Sequence, residues 1–122
     1  MKFPAGVLTA LREGTTLTMR AGIRPHRFIG IWVVVVAGRV FVRSWSLKPG
    51  GWWRTFLEEP RGAIRVAGRT IPVRAVRTRS ERLKAAVSRA YLTKYGTGGS
   101  LRYARDLCGA QSRATTTELV PR

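Results

Sequence analysis

The sequence is poor in residues that bind metals or form disulfides, with one cysteine and one histidine among its 122 residues. Cys108 has no second cysteine with which to form an internal disulfide, and a chain without disulfides suits a reducing compartment. Cys108 and His26 together do not make the Cys/His cluster that a zinc site requires. These absences exclude a disulfide scaffold and a zinc module, and we expect a cytoplasmic protein.

Acidic residues are also scarce, because the chain has six Asp and Glu in total and Asp106 is its one aspartate. One histidine, one aspartate and no Gly-x-Ser-x-Gly elbow argue against a Ser-His-Asp triad. Glu58 and Glu59 are adjacent, so on a helix they point about 100° apart and do not form a catalytic carboxylate pair. The glycines at 96, 98 and 99 lack the Gly-Lys-Ser or Gly-Lys-Thr ending of a phosphate loop.

Long apolar runs are missing as well. The longest, Phe28 to Ala37, is too short to cross a membrane, and the N-terminus lacks the charged-then-apolar layout of a signal peptide, so we expect no membrane partner. The hydrophobic fraction of 44% and the four tryptophans nevertheless exclude a disordered chain. We expect residues 1–122 to form a single globular domain.

Positive charge is what the chain has in excess, with 23 Lys and Arg, nineteen of them Arg, and a net charge of +17. This balance predicts attraction to phosphate-bearing ligands, nucleic acid or anionic surfaces. The cations are spread singly from Arg12 to Arg113, which is not the pattern of a basic tail. Arg, Ala, Val and Gly are also what a GC-rich genome places at neutral surface positions, so a solvated surface without a partner stays an equal alternative.

Two hairpins are the clearest structural signals. Phe28 to Val36 is apolar on both faces and rich in β-branched residues, which predicts a central buried strand. Ala37-Gly38 predicts a tight turn, and Arg39 to Trp45 is the expected antiparallel partner. Arg61–Val66 and Arg69–Arg77 predict a second hairpin across Ala67-Gly68. Pro72 places its strand at an edge or with its N–H side facing outward.

The remaining elements follow from helical spacing, caps and alternation. They are an opening helix at 3–11, a strand at 15–20, a loop at 21–27, a short helix at 52–59, a long helix from 80 to 96, a short helix from 100 and a last strand at 113–120. The pattern predicts an α+β protein that is mainly β: a six-stranded antiparallel barrel, closed or split, with a few short helices.

One group of residues combines the types that hold a phosphate and a flat ring. It consists of Arg43, Ser44, Ser46, Lys48, Trp53 and Arg54, and it also contains Trp52, for which a place in the core is favoured. Arginine forks, a lysine and hydroxyl donors bind phosphate, and a helix N-terminus favours anions. The alternative is structural, because Trp53, Phe56 and Leu57 are also spaced as a helix that fills a core.

Four segments resemble a small family of unknown function related to the flavin-binding split barrels, which include pyridoxamine-phosphate oxidase-like proteins and deazaflavin-dependent nitroreductases. They are Ile31-Trp32-Val33-Val34-Val35, Val40-Phe41-Val42-Arg43-Ser44, Gly51-Trp52-Trp53-Arg54 and Gly62-Ala63-Ile64-Arg65-Val66-Ala67-Gly68. The resemblance implies a split β-barrel, commonly a homodimer, with FMN or a deazaflavin between subunits. It also implies that Arg43, Ser44, Ser46 and Lys48 hold the phosphate, with Trp53 and Arg54 nearby.

The leading hypothesis is therefore a cofactor-binding barrel that passes hydride to a small molecule, since the ring of such a cofactor does the redox chemistry. Arg43→Ala and Lys48→Ala are expected to weaken cofactor binding without unfolding the barrel. A nucleic-acid-binding barrel and a cofactor-free structural module are the alternatives.

Overall fold

The computed structural model describes residues 2–122 and is α+β, as predicted. Within these residues the helices are α1 (Ala5–Glu13), α2 (Trp52–Glu58), α3 (Glu81–Tyr95), α4 (Leu101–Asp106) and α5 (Ala110–Arg113), with a short 3₁₀ turn at Gly98–Ser100. The strands are β1 (Leu17–Ala21), β2 (Ile29–Ile31), β3 (Val34–Val36), β4 (Arg39–Val42), β5 (Arg61–Val66), β6 (Arg69–Arg77) and β7 (Thr117–Pro121).

The strands form one antiparallel sheet in the order β2-β1-β5-β6-β7-β4-β3. Its two edge strands, β2 and β3, are consecutive in the chain and are separated only by Trp32 and Val33. The two edges therefore meet at this point, and the sheet curls into a half-barrel. Curling in this way shortens the exposed edge, which is the property that led us to expect a barrel.

The predicted count of six strands is wrong, because the described residues form seven. The central strand expected from Phe28 to Val36, buried on both faces, is also wrong: it is broken at Trp32 and Val33, and its two halves, β2 and β3, are the edge strands of the sheet. At the break the backbone bonds to α3: Val33 N–H donates to Tyr95 Oη at 3.1 Å, and Val33 C=O accepts from Lys94 Nζ at 2.9 Å. These side chains replace a neighbouring strand, so the N–H and C=O of the buried Val33 are both paired.

Other boundaries also differ from those predicted. β4 ends at Val42 instead of Trp45, and β7 begins at Thr117 because Arg113 belongs to α5. β6 is not an edge strand, since it pairs with β5 from Arg69 to Arg74 and with β7 from Val73 to Arg77. Pro72 lies just outside the segment that pairs with β7, where its carbonyl accepts from the Arg122 N–H at 3.1 Å. Its missing N–H therefore removes no bond from that ladder.

Both predicted hairpin turns are confirmed. Ala37 and Ala67 have φ values of 53° and 52°, and the glycines that follow them have 72° and 71°. Two consecutive residues with positive φ define the tight turn whose twist matches that of the flanking strands. The long predicted helix is confirmed as α3, and the Ser80 hydroxyl caps it by accepting from the Leu83 N–H at 3.2 Å.

Two clusters of buried apolar side chains hold the elements together. One joins α1 and α2 to the sheet through residues such as Leu11, Met19, Phe56 and Ile64. The other, in which Phe41 and Tyr91 are fully buried, joins β3 and β4 to α3 and α4. Gly62 fixes the position of α2, because a Cβ there would lie 2.6 Å from the Arg20 carbonyl oxygen and 2.9 Å from the Phe56 ring.

Candidate functional site

A cavity of about 790 Å³ lies between α2 and the loop that joins β1 to β2. We call it the loop–α2 cavity. Its walls are formed by Met19, Ala21, Gly22, Ile23, Arg24, His26, Arg27, Ile29, Gly50, Trp52, Thr55, Glu58 and Glu59. Ligand sites usually occupy about 300–1,000 Å³. This cavity lies in that range, and its walls combine apolar residues with several charged ones.

The loop of the cavity is held close to α2 by a glycine. Gly22 is buried, has a φ of +82°, and a Cβ at this position would lie 3.1 Å from Thr55 Cγ2. Any other residue would be strained at this positive φ, and its side chain would press against α2. The His26 ring holds the far part of the loop, with Nε2 at 3.0 Å from the Ala21 carbonyl oxygen and Nδ1 at 3.2 Å from that of Arg27.

The charges of the cavity are divided between its two walls. Arg24 and Arg27 are exposed on the loop, and in residues 2–122 neither forms an ion pair with a carboxylate. On the α2 side, Glu59 is bound by Arg61, whose Nη2 lies 2.6 Å from Glu59 Oε1. The side-chain and backbone hydrogen bonds of Arg61 lower the pKa of Glu59 to about 2. The loop wall therefore suits an anion, and the α2 wall suits an apolar or cationic group.

Arg43, the first residue of the predicted phosphate site, is 2% exposed and its guanidinium lies inside the protein. It donates to Thr116 Oγ1 at 2.8 Å, to Ser88 Oγ at 2.8 Å, to the Leu107 carbonyl at 2.9 Å and to the Lys84 carbonyl at 2.8 Å. Four of its five N–H donors are thus used. Burial lowers the pKa of Arg43. The side chain joins β4 to the helical layer and has little capacity left for a ligand.

Ser44 and Ser46 shape the loop that follows β4. The buried Ser44 hydroxyl donates to the Ser46 carbonyl at 2.6 Å, and the Ser44 N–H donates to Thr115 Oγ1 at 2.8 Å. Ser46 Oγ accepts from the Lys48 N–H at 3.1 Å. The Lys48 side chain is exposed, so of these residues it is the one whose charged end is open to a ligand.

Trp53 and Arg54 lie on a different face of α2 from the cavity. The Arg54 guanidinium carbon is 5.5 Å from the centroid of the Trp53 ring, and its Nε donates to the Leu47 carbonyl at 2.8 Å. Trp53 is half-buried and Arg54 is exposed. None of the six residues predicted to bind a cofactor lines the loop–α2 cavity. Cofactor binding by this set stays a prediction.

The residues that sequence reasoning missed are Arg24 and Arg27, whereas Trp52 was considered and assigned to the core. Trp52 packs against the core and also forms part of the cavity wall. The sequence contained one signal for these arginines. Arg24, His26 and Arg27 are three basic or titratable residues in one short loop that follows Gly22. His26 is exposed, as are Arg24 and Arg27.

Within the described part of the chain, no helix has both the length and the apolar character needed to span a membrane. Among the same residues, no three His, Cys, Asp or Glu side chains come together as a group that could hold a metal ion.

Comparison with known proteins gives a family and a fold. No curated protein matches the sequence. Among solved structures, the chain is similar to that of the conserved hypothetical protein Rv2991 from Mycobacterium tuberculosis, with a TM-score of 0.65 and 14% identity over 100% of this chain and 82% of the other. At this identity the likeness shows a shared fold. Residues 8–119 match the family DUF2255, described as uncharacterized proteins conserved in bacteria, and this chain therefore belongs to that family.

Proposed function

We propose that this protein binds a planar cofactor that carries a phosphate, FMN or a deazaflavin, in the loop–α2 cavity and acts as an oxidoreductase on a small molecule. The observation that supports this best is the pairing, in one cavity, of an apolar and aromatic surface with Arg24 and Arg27, which have no ion-pair partner within residues 2–122. The relation to flavin-binding split barrels and a homodimer with the cofactor between subunits belong to the same proposal.

Different residues of the cavity would contact the ring system and the phosphate of such a ligand. Trp52, Ile23 and Ile29 offer apolar surface to a ring system, and their burial by a ligand contributes about 25 cal/mol per Å² of apolar area. Arg24 and Arg27 present planar guanidinium forks, which match phosphate oxygens better than a lysine does. When bound, the cofactor would supply hydride transfer, and this chain would orient it and keep water away from one face.

The carboxylates decide which way the ligand lies. Glu58 lines the cavity, and in residues 2–122 it has no ion-pair partner, so it would repel a phosphate placed near it. The phosphate is therefore assigned to the loop side and the ring to the α2 side. Lys48 lies two residues before Gly50, which lines the cavity, and it is the member of the sequence-predicted set that we retain as a phosphate contact.

The test is a titration with FMN and with riboflavin, which has the same ring system but no phosphate, followed by flavin fluorescence. We expect FMN to bind more tightly than riboflavin. Arg24→Ala and Arg27→Ala should each weaken FMN binding by roughly 10- to 100-fold, because a hydrogen bond to a charged group contributes about 1.5–3 kcal/mol. Neither change should alter the affinity for riboflavin.

Arg89→Ala is the matched control, because Arg89 is exposed on α3 and does not line the cavity. It removes the same charge and should leave FMN binding within about twofold of the unaltered protein. A deazaflavin with and without its phosphate gives the same comparison for the second cofactor. Equal FMN affinity in the unaltered protein, the Arg24 variant and the Arg27 variant would refute the assignment of the site.

One observation favours nucleic acid as a second candidate. The β5–β6 hairpin carries four exposed arginines without ion-pair partners in the described chain: Arg65, Arg69, Arg74 and Arg77. Each phosphate neutralised by such a side chain releases counterions, so binding should weaken steeply as salt is added. The affinity for single-stranded DNA should be measured between about 50 and 200 mM salt, because phosphate contacts of this kind lose affinity over roughly that range. An affinity that does not change with salt would exclude this candidate.

A further inference from the structure

A second pocket, of about 420 Å³, shares no lining residue with the loop–α2 cavity and lies on the other apolar cluster. It is lined by Trp32, Trp45, Tyr103 and Asp106, and we call it the aromatic pocket. Three of its four lining side chains are aromatic and the fourth is a carboxylate. No lysine or arginine lines it, although the chain has 23 of them.

The rings of the aromatic pocket meet at steep angles. The Trp32 and Trp45 centroids are 5.3 Å apart with 66° between the ring planes, and the Trp45 and Tyr103 centroids are 6.4 Å apart at 89°. A flat ligand such as a flavin needs parallel faces between which it can stack. Walls set at these angles instead suit a compact, rounded group that touches several ring faces at once.

One wall is held rigidly and two are open to solvent. Trp32 stacks on Tyr95, with centroids 3.9 Å apart and planes within 3°, and the Tyr95 hydroxyl donates to the Thr15 carbonyl at 2.6 Å. Trp45 and Tyr103 are each 43% exposed, which is unusual for such large side chains on a soluble fold. A ligand would therefore find a pre-formed wall and would cover exposed aromatic surface, and both effects favour binding.

The electrostatics of the pocket favour a positive charge. Ring faces of Trp and Tyr attract cations, and in residues 2–122 the Asp106 carboxylate forms no ion pair. Tyr103 already attracts one cation, since the Arg102 guanidinium carbon lies 4.9 Å from its ring centroid. Arg102 does not line the pocket, so the enclosed side of the ring stays available.

We propose that the aromatic pocket binds a methylated ammonium group, with Trp32, Trp45 and Tyr103 as the cage and Asp106 as the counter-charge. Methyl groups spread the positive charge over a rounded apolar surface that fills a cage better than the strongly hydrated ammonium of lysine. This inference does not rest on the proposed cofactor function, because the two sites share no lining residue.

Choline is the probe, and 3,3-dimethylbutan-1-ol is its control, because it has the same shape with a neutral carbon in place of the nitrogen. We expect calorimetric titration to show choline bound more tightly than the neutral alcohol by roughly 3- to 30-fold. Choline affinity should hold or rise between 50 and 300 mM salt, because salt screens the repulsion from a chain of net charge +17. FMN affinity should fall over the same range, which separates the two sites.

Three variants locate the binding. Trp45→Ala should reduce choline affinity at least tenfold, and Asp106→Asn should reduce it several-fold without changing the affinity for the neutral alcohol. Leu57→Ala removes an exposed apolar side chain that does not line the pocket, and this variant should bind choline within about twofold of the unaltered protein. Because Trp45 is 43% exposed, its replacement should leave the fold intact, and an unchanged urea midpoint checks this.

Two results would overturn the proposal. Equal affinities for choline and its neutral isostere would mean that charge has no role in the pocket. A smaller sedimentation coefficient for Trp45→Ala, together with choline binding that the variant does not change, would show that the exposed rings pair with a second copy of the chain.

Discussion

At the scale of single residues, Arg43 shows that a phosphate-binding arginine and a buried structural arginine can have the same sequence pattern. An arginine beside serines at the end of a strand is typical of phosphate binding. Its acceptors here come from residues 41, 45, 64 and 73 positions away in the chain. Local spacing carries no information about such distant partners, so the internal network could not be predicted.

This position changes what we expect from Arg43→Ala. The substitution leaves Thr116 Oγ1, Ser88 Oγ and two carbonyl oxygens without their donor, and each unsatisfied buried group costs about 1–3 kcal/mol. Since the cost of burying a charge is relieved at the same time, we expect a loss of about 2–4 kcal/mol in the free energy of unfolding. Urea denaturation measures this. Lys48→Ala, which removes an exposed cation, should stay within about 0.5 kcal/mol of the unaltered protein.

Tyr95→Phe tests the link between α3 and the broken strand. The Tyr95 hydroxyl accepts from Val33 N–H and donates to the Thr15 carbonyl, and its ring stacks on Trp32. Phenylalanine keeps the ring and removes both hydrogen bonds, so the free energy of unfolding should fall by about 1–3 kcal/mol. Tyr103→Phe is the control, because its exposed hydroxyl only accepts from Arg102 at 3.3 Å. Equal stability of the two variants would show that the strand break does not depend on α3.

At the scale of elements, the turns, hairpins and helices that depend on local sequence signals were predicted well. Both Ala-Gly turns, the second hairpin and α3 with its Ser80 cap depend on residues that are close in sequence. The interruption between β2 and β3 was missed for the opposite reason. Trp32 and Val33 continue the apolar pattern of a strand. The strand is interrupted there by hydrogen bonds to side chains of α3, which are about 60 positions further along the chain.

Ala67 offers a prediction at this scale. It is exposed and has a φ of 52°, a conformation that costs an alanine about 1–2 kcal/mol and that asparagine adopts more easily. Ala67→Asn should therefore raise the free energy of unfolding by about 0.5–1 kcal/mol, measured by urea denaturation. Ala67→Val should lower it, because a β-branched side chain is strained at positive φ. If valine were tolerated as well as asparagine, the turn in solution would have a different conformation.

At the scale of the whole molecule, the fold class followed from the sequence, but the order of the strands did not. β7 pairs with both β4 and β6, so the last strand in the chain lies inside the sheet. Such long-range pairing leaves no mark on alternation or turn residues. The loop–α2 cavity has the same origin, since it is lined by the loop after β1 and by α2, which β2, β3 and β4 separate in the chain.

The few carboxylates of this basic molecule make its stability depend on pH. Hydrogen bonds from Arg61 lower the pKa of Glu59 from an ordinary 4.5 to about 2, and those from Arg113 and Lys84 lower the pKa of Glu81. In the unfolded chain these carboxylates are protonated near pH 4.5, whereas in the folded chain they stay ionised to a lower pH. The stability that these ion pairs contribute is thus complete above about pH 4.5 and is lost as the pH falls towards 2.

The urea midpoint should therefore fall between pH 5 and 2.5, and it should fall less in the double variant Glu59→Gln/Glu81→Gln. Both carboxylates are at the surface, so the difference between the two proteins should shrink when salt is added. Identical pH profiles for the variant and the unaltered protein would contradict the assignment of acid sensitivity to these two ion pairs.

The place of β7 also has a consequence for synthesis on the ribosome. Before β7 is made, the sheet exists as two pieces, β2-β1-β5-β6 and β3-β4, and the strands that will flank β7 present unpaired edges. The 39 residues between β6 and β7 take roughly 2–8 s to translate at the usual rate of about 5–20 residues per second. For that interval the nascent chain carries two open strand edges, which are sites of pairing with other chains. Exposed arginines on the β5–β6 hairpin, whose like charges repel a second copy, would protect it during this time.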